Sequence, residues 1–298
     1  MSLISRRQLL ALVVLTLMWG FNWPMMKFSM RELTPLYFRA FTMTGGALLL
    51  FIWYRARGFR MWPQRLEWRT IVLIFIPNIL GWHTFSALGV NELASGRAAI
   101  LGFTMPIWTV LLGAMFWGER LTRRVALAAV AVLIAIALLA SSELSQLAGR
   151  PMGVIWMELA AICWALGTLL LKRAELTLPV ESVTIWTLLI GTVCLWPLAW
   201  AIEPAPNWQF SPGMWASMAY GAFVNFGAAQ ILWAGLARAL PPATSAMSLM
   251  AIPIVGTLGA TFIVGEWPHW QDYCAILCVT TAIGAVLLPK RSSRACSH

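Results

Sequence analysis

Charge is what this sequence lacks most. Only 11% of its 298 residues are Asp, Glu, Lys or Arg, against about 25% in soluble domains, too few to cover a globule in water. Acidic residues number 11 and histidines three. No H-E-x-x-H or G-x-S-x-G motif occurs, His269 lies at a span end and His298 at the terminus. A nucleophile–base pair or metal cluster has little to be built from, so the chain is not expected to be an enzyme; an intramembrane enzyme is kept only as a rival class. Cys163, Cys194, Cys274 and Cys278 fall inside apolar blocks and Cys296 in the tail. They form neither metal-ligand spacing nor a disulfide framework and read as small core residues. The acidic rings and repeated filter sequences of a channel are missing as well, and no cofactor is implied.

What is present is apolar sequence in blocks. Sixty per cent of the residues are hydrophobic, in runs of about 18 to 22, the length that crosses ~30 Å of hydrocarbon at ~1.5 Å per residue. Windows of about 19 residues place spans near 8–26, 36–54, 70–90, 96–117, 123–141, 152–171, 182–202, 213–236, 243–264 and 271–288. The start, Met1 to Arg7 and a long apolar run, lacks an A-x-A-like site and reads as an uncleaved first span. The net charge of +10 suggests nucleic acid only until its distribution is seen. Lys and Arg sit in the short gaps between blocks and form no basic face, so no nucleic-acid partner is expected; the partner is the lipid bilayer.

An even span count puts both termini on one side. That side carries sixteen Lys and Arg residues, from Arg6 and Arg7 through the Arg55–Arg69 loop to Lys290, Arg291 and Arg294, while the other holds Lys27, Arg31 and Arg150. The positive-inside rule therefore makes both termini cytoplasmic. Arg39 and Arg97 fall just inside outer helix ends, where snorkelling is expected to lower their cost.

The two halves of the chain match. Pro106 followed by Gly118-Glu119 recurs 147 residues later as Pro253 followed by Gly265-Glu266. The same offset pairs Asn78 with Asn225 and His83 with Gln230; an offset of 145 pairs Trp19 with Trp164 and Lys27 with Lys172. Five spans per half is an odd number, so the second half inserts upside down. The expected fold is all-α integral membrane, with ten transmembrane helices as two inverted five-helix repeats, 1–145 and 150–298, forming one membrane unit. Inverted repeats are the architecture of secondary transporters, with the binding site near the midplane.

These residues carry a family resemblance. Two five-span halves, each with a proline in the fourth span and a Gly-Glu at its end, with Trp19-Gly20 in the first span and Pro35 and Arg39 opening the second, resemble the EamA family of the drug/metabolite transporter superfamily. The Trp-rich sequence is also similar to the YddG-type aromatic amino acid exporters within that family. The resemblance covers nearly the whole chain and implies a bacterial inner-membrane exporter of small metabolites. It departs in the second half, where Trp186 stands at the mate of Arg39 and Ala165 at the mate of Gly20.

Helical spacing sorts the residues that would line a path. Trp19, Asn22 and Trp23 stand at i, i+3 and i+4, and Trp164, Gly167 and Thr168 repeat that spacing. Asn78, Trp82 and Phe85 form a stripe of span three; Asn225, Gln230 and Trp233 lie in span eight. Mid-depth amides are costly unless they face water or a partner, and hydrogen bonding between helices, worth about 0.6–2 kcal/mol, competes with a cavity role. For His83 the competitor is a buried neutral imidazole on a carbonyl. Pro106 and Pro253 are expected to kink their helices and gate the path, freeing the carbonyls at 102 and 249. Thr104 and Trp108 flank the first kink; Ser245 and Ser248 precede the second. Trp53, Trp62, Trp68, Trp117, Trp208, Trp215, Trp267 and Trp270 lie near span ends and read as interfacial belt. Gly45-Gly46, Gly256 and Gly259 read as packing residues.

Glu158 is the one carboxylate well inside a span. Pairing with Arg97 or Arg150 is its expected role, leaving a facilitator or exchanger with His83 as the titratable group. A Trp-lined cavity with few charges suits a zwitterion with a large apolar side chain, so aromatic and hydrophobic amino acids are the expected cargo, with small hydrophilic amino acids and cationic drugs as alternatives. A purely structural protein has no use for paired polar residues at mid-depth in both halves. Ten spans enclose a path within one chain, so a monomer is expected to function.

Overall fold

In the computed structural model the described residues are 5–119, 121–145, 150–240 and 250–287, and all their regular structure is helical. The elements are α1 (Arg6–Gly20), α2 (Asn22–Ser29), α3 (Pro35–Ala56), α4 (Glu67–Phe75), a π-helical stretch π1 (Ile76–Gly81), α5 (Trp82–Glu92), α6 (Ser95–Gly102) and α7 (Met105–Trp117). There follow α8 (Arg123–Ser145), α9 (Met152–Arg173), α10 (Val180–Ile202), α11 (Pro212–Ala219), a second π-helical stretch π2 (Tyr220–Ala228) and α12 (Ala229–Ala239). The last two are α13 (Ile252–Ile263) and α14 (Trp270–Leu287).

Among the described residues seven helical stretches are long and apolar enough to cross a membrane: Arg6–Ser29, Pro35–Ala56, Glu67–Glu92, Ser95–Trp117, Arg123–Leu144, Met152–Arg173 and Val180–Ile202. They coincide with the first seven spans read from hydropathy. The eighth expected span falls on α11–π2–α12 and the tenth on α14; of the ninth, residues 243–249 lie outside the described residues.

Prolines set the internal breaks. Pro24 has no N–H to give the Gly20 carbonyl, and the first stretch turns at Phe21, between α1 and α2. Pro77 withholds its N–H from Leu73 and lies within π1. Pro106 and Pro253 do not kink continuous helices as expected. Each stands at the second residue of a new helix, α7 or α13, where a missing N–H costs nothing because the first turn has no acceptor for it. The carbonyl at 249 lies outside the described residues.

Small residues bring the helices together across the two halves of the sequence. A Cβ on Gly46 would meet Phe226 Cβ at 2.1 Å, and one on Gly45 would meet Ala222 at 2.7 Å, so α3 lies directly on π2. Gly81, Gly89 and Gly167 do the same where π1 and α5 run antiparallel along α9, against Cys163, Met157 and Asn78. Gly20, Gly256 and Gly259 close α1 and α2 onto α13. The Gly-Glu pair has the same backbone at both sites, with Gly118 at φ 68° and Gly265 at φ 77°, a left-handed conformation that a β-carbon disfavours.

Many polar contacts between elements fall into two belts, with Trp196 Nε1 to Thr44 Oγ1 (3.0 Å) and the Tyr220 hydroxyl to the Met18 carbonyl (2.7 Å) between them. At one end, Glu203 accepts from the Leu36 and Tyr37 amides (3.0 and 3.1 Å), an anion on the positive end of α3. There too Lys27 Nζ donates to the Val90 and Asn91 carbonyls that end α5, Glu266 accepts from the Ser95 amide, and Arg150 bridges to Glu92. At the other end, Arg173 pairs with Glu119, Arg238 with Glu181, and Glu67 accepts from Thr177 and Leu178. Between the belts lie residues such as Leu15, Met43, Ala161 and Leu188, each at most 2% exposed.

Candidate functional site

The tryptophans picked out by helical spacing do meet. Trp82 stands edge-on to Trp23, with centroids 6.4 Å apart, and tilts against Trp164 at 5.1 Å. Trp19 tilts against Trp233 at 5.6 Å. The stripe Asn78, Trp82, Phe85 holds, since Asn78 abuts Gly167, Trp82 meets Trp164 and Phe85 stacks on Trp156, all on α9. The stripe Trp19, Asn22, Trp23 divides, because the turn at Phe21 sends Trp19 toward α12 and Trp23 toward α5.

Asn78 lies in π1 and Asn225 in π2. A π turn widens the helix and pushes side chains off the regular face, and such turns recur at functional sites. Among the described residues, none of the amides Asn22, Asn78, Asn225 and Gln230 makes a side-chain hydrogen bond to the protein. The interhelical-glue reading of Asn78 and Asn225 therefore has no bond to stand on. Thr168 spends its hydroxyl proton on the Trp164 carbonyl at 2.9 Å. His83 is buried, its ring 5.1 Å from Phe226, with Nδ1 unpartnered. Ser245 and Ser248 lie outside the described residues.

Three charged groups depart from the expectations. Glu158 pairs with neither Arg97 nor Arg150: Trp108 Nε1 donates to it at 2.7 Å, and Thr104 Oγ1, which donates to the Leu101 carbonyl, stands 3.2 Å away. Among the described residues no cation pairs with it. Arg97 does not snorkel. It is 4% exposed and lies between Glu143 of α8 and Asp272 of α14, with Nε 2.8 Å from Asp272 Oδ1. A concavity of about 320 Å³ opens beside it, lined by Glu92, Glu143, Glu266 and His269 among others. Arg39 is 3% exposed and its guanidinium carbon sits 5.8 Å from the centroid of Phe226, so it too is an interior group. Sequence reasoning missed Glu143, Asp272 and Phe226, since their partners lie tens to hundreds of residues away. The spacing of Arg39 inside an apolar block was the one available signal for it.

The cysteines at 163, 194, 274 and 278 are free, and no group of His, Cys, Asp or Glu among the described residues could hold a metal ion. What the fold and these residues define is a multi-pass membrane protein with polar and aromatic groups turned inward. The model of the EamA-like transporter family matches residues 6–141 and again 151–288, and the chain belongs to that family. It is therefore a membrane transporter. It is similar to the uncharacterized transporter YoaV of Bacillus subtilis, 20% identical over 83% of this chain and 85% of that one. The uncharacterized inner membrane transporter YedA of Escherichia coli K12 is 24% identical over 95% of this chain and 93% of its own length. A protein solved by crystallography shares the fold at a TM-score of 0.67 and 20% identity, over 94% of this chain and 96% of that one.

Proposed function

We propose that the chain is a ten-span secondary transporter, built as two inverted five-helix repeats with both termini cytoplasmic. It exports amino acids, aromatic and hydrophobic ones foremost, by alternating access through a path between the repeats. The observation that carries the substrate class is the run Trp23–Trp82–Trp164 with the unbonded Asn78 of π1 against Gly167, one turn from Trp164 on α9. Indole faces bind a ring, and free amides bind a zwitterionic head. The threading is supported by the two belts of polar contacts, each of which joins only helix ends that ten alternating crossings would bring to one side. The belt with Arg173 and Arg238 lies on the side that collects the sixteen cations, hence the cytoplasmic one.

Alternating access requires one belt to loosen while the other holds. The Arg97–Glu143–Asp272 contacts and the Glu119–Arg173 pair are the opposing ties in this reading. Uptake of radiolabelled phenylalanine or tryptophan into proteoliposomes tests it, with Asn78→Ala and Trp82→Ala beside the wild type. Saturable wild-type flux that both substitutions abolish in folded protein is expected; flux no greater than in empty liposomes sinks the aromatic-substrate claim.

A second reading, a cationic hydrophobic drug as cargo, is favoured by Glu158, whose partners Trp108 and Thr104 are neutral. Glu158→Gln separates the two. It removes transport of a hydrophobic amine if the second reading holds and spares phenylalanine flux if the first does.

A further inference from the structure

Arg39 is the most unusual group in the membrane interior. Its guanidinium is charged at any accessible pH. It is 3% exposed, its Nε is fully buried without a partner, and no described residue accepts a hydrogen bond from any of its nitrogens. A buried charge is ordinarily paired or coordinated. The carboxylates on α3's neighbours are already engaged: Glu203 at the α3 N-terminus, Glu181 with Arg238, Glu92 with Arg150. The Phe226 ring gives the cation one face to lie over, which leaves the in-plane donors of the guanidinium fork unanswered.

Two other unanswered groups lie on α5, which packs against α3. His83 also packs on Phe226, its ring centroid 5.1 Å from that ring's, within electrostatic reach of Arg39, and its Nδ1 has no partner. Ser86 follows at i+3 on the same face of α5, is wholly buried, and its hydroxyl is likewise without a partner. Phe226 cannot retreat from this place, because its Cβ packs against bare Gly46. A cation with a free bidentate fork, an aromatic plane and two spare polar atoms, all inside the bilayer, match a planar anion.

We propose that Arg39, with His83 and Ser86 beside it, is an anion site that takes the carboxylate of the transported molecule, so that the cargo is a carboxylate-bearing compound. The inference rests on the amino acid reading above for its choice of cargo, but the anion site itself does not need an aromatic side chain. It separates the two substrate readings, since an amine without a carboxylate has nothing to offer Arg39.

The test is ligand binding to purified protein, read by intrinsic tryptophan fluorescence and by thermal unfolding. The probes are phenylalanine, 3-phenylpropionate (no amine), phenethylamine (no carboxylate), small aliphatic carboxylates, and chloride against gluconate. The variants are Arg39→Lys and Arg39→Gln, each checked by size-exclusion profile. Phenylalanine and 3-phenylpropionate are expected to bind the wild type. Arg39→Gln weakens both by about tenfold or more, the size of losing a charge-assisted hydrogen bond, and Arg39→Lys restores part of the loss. Phenethylamine binding as tightly as phenylalanine, or equal carboxylate affinity in wild type and Arg39→Gln, overturns the proposal. If no aromatic compound binds but an aliphatic carboxylate binds in an Arg39-dependent way, the aromatic reading fails and the anion site stands. If chloride alone stabilises the wild type and no carboxylate does, the site holds an inorganic ion and the substrate role is overturned. Should Arg39→Gln fail to fold, Ser86→Ala and Arg39→Lys carry the same comparison with a smaller loss.

Discussion

Arg97 and Arg39 are both arginines inside apolar helices, both a few residues from a helix N-terminus, and almost equally buried at 4% and 3%. Around Arg97 the fold supplies two carboxylates from two other helices. Around Arg39 it supplies a phenylalanine ring and leaves the polar atoms of His83 and Ser86 idle. A buried charge with its counter-charges in place is a structural tie, whereas one without them keeps its hydrogen-bond donors free. Burial alone does not distinguish the two; the partner inventory does.

The difference has a large expected consequence for stability. Arg97→Met strands Glu143 and Asp272 as uncompensated buried acids, and breaking such a pair from one side costs about 3–5 kcal/mol. Arg39→Met removes a charge that no described residue neutralises, so its thermal unfolding should stay within about 1 kcal/mol of wild type while carboxylate binding is lost. Unfolding in detergent, followed for both variants under one set of conditions, checks the pair. Equal destabilisation would break the contrast and mean that Arg39 has a structural partner.

Gly46→Ala sharpens it from the packing side. The new methyl would fall 2.1 Å from Phe226 Cβ, so either α3 or π2 must shift, at about 1–3 kcal/mol for overpacking. Because Phe226 packs against both Arg39 and His83, the same change should weaken anion binding while leaving the Arg97 contacts intact. Gly235→Ala, at a glycine with open space around it, is the control and should change neither.

Much of this organisation was legible in the chain itself. Apolar block length and the spacing of Lys and Arg place the helices, and the first seven spans fall where seven helical stretches lie. The stripe Asn78, Trp82, Phe85 was legible because neighbours three and four residues apart share a helix face. What spacing along one helix cannot carry is contact between helices. Glu158 and Arg97 are both ionisable groups inside spans on the expected outer side, and charge alone suggested pairing them. The fold gives Arg97 to Glu143 and Asp272, 46 and 175 residues away, and leaves Glu158 to an indole and a hydroxyl. Pro106 and Pro253 misled for a related reason. A proline marks a position where an N–H is absent, and only the surrounding helices decide whether the chain bends there or starts a new helix.

The comparison ends at the surface, where the smallest effect is expected. Glu32 is an exposed carboxylate that accepts from the Ser211 hydroxyl (2.5 Å) and the Ser211 amide (2.8 Å), tying the α2–α3 turn to the residue that caps α11. The hydroxyl, and then the amide, hold its pKa below the ordinary 4.5. A depressed carboxylate contributes stability above its unfolded pKa and loses it as pH falls through the folded value. The difference in unfolding temperature between wild type and Glu32→Gln should therefore be constant near neutral pH, shrink below about pH 4.5, and vanish once the folded carboxyl is protonated. It should also fade in high salt, because water and ions screen an exposed group. Arg97→Met should show a weaker salt dependence, since its partners are almost wholly buried. A Glu32 effect as large and as salt-resistant as that of Arg97 would mean that solvent exposure is a poor guide to what a charged contact contributes in this protein.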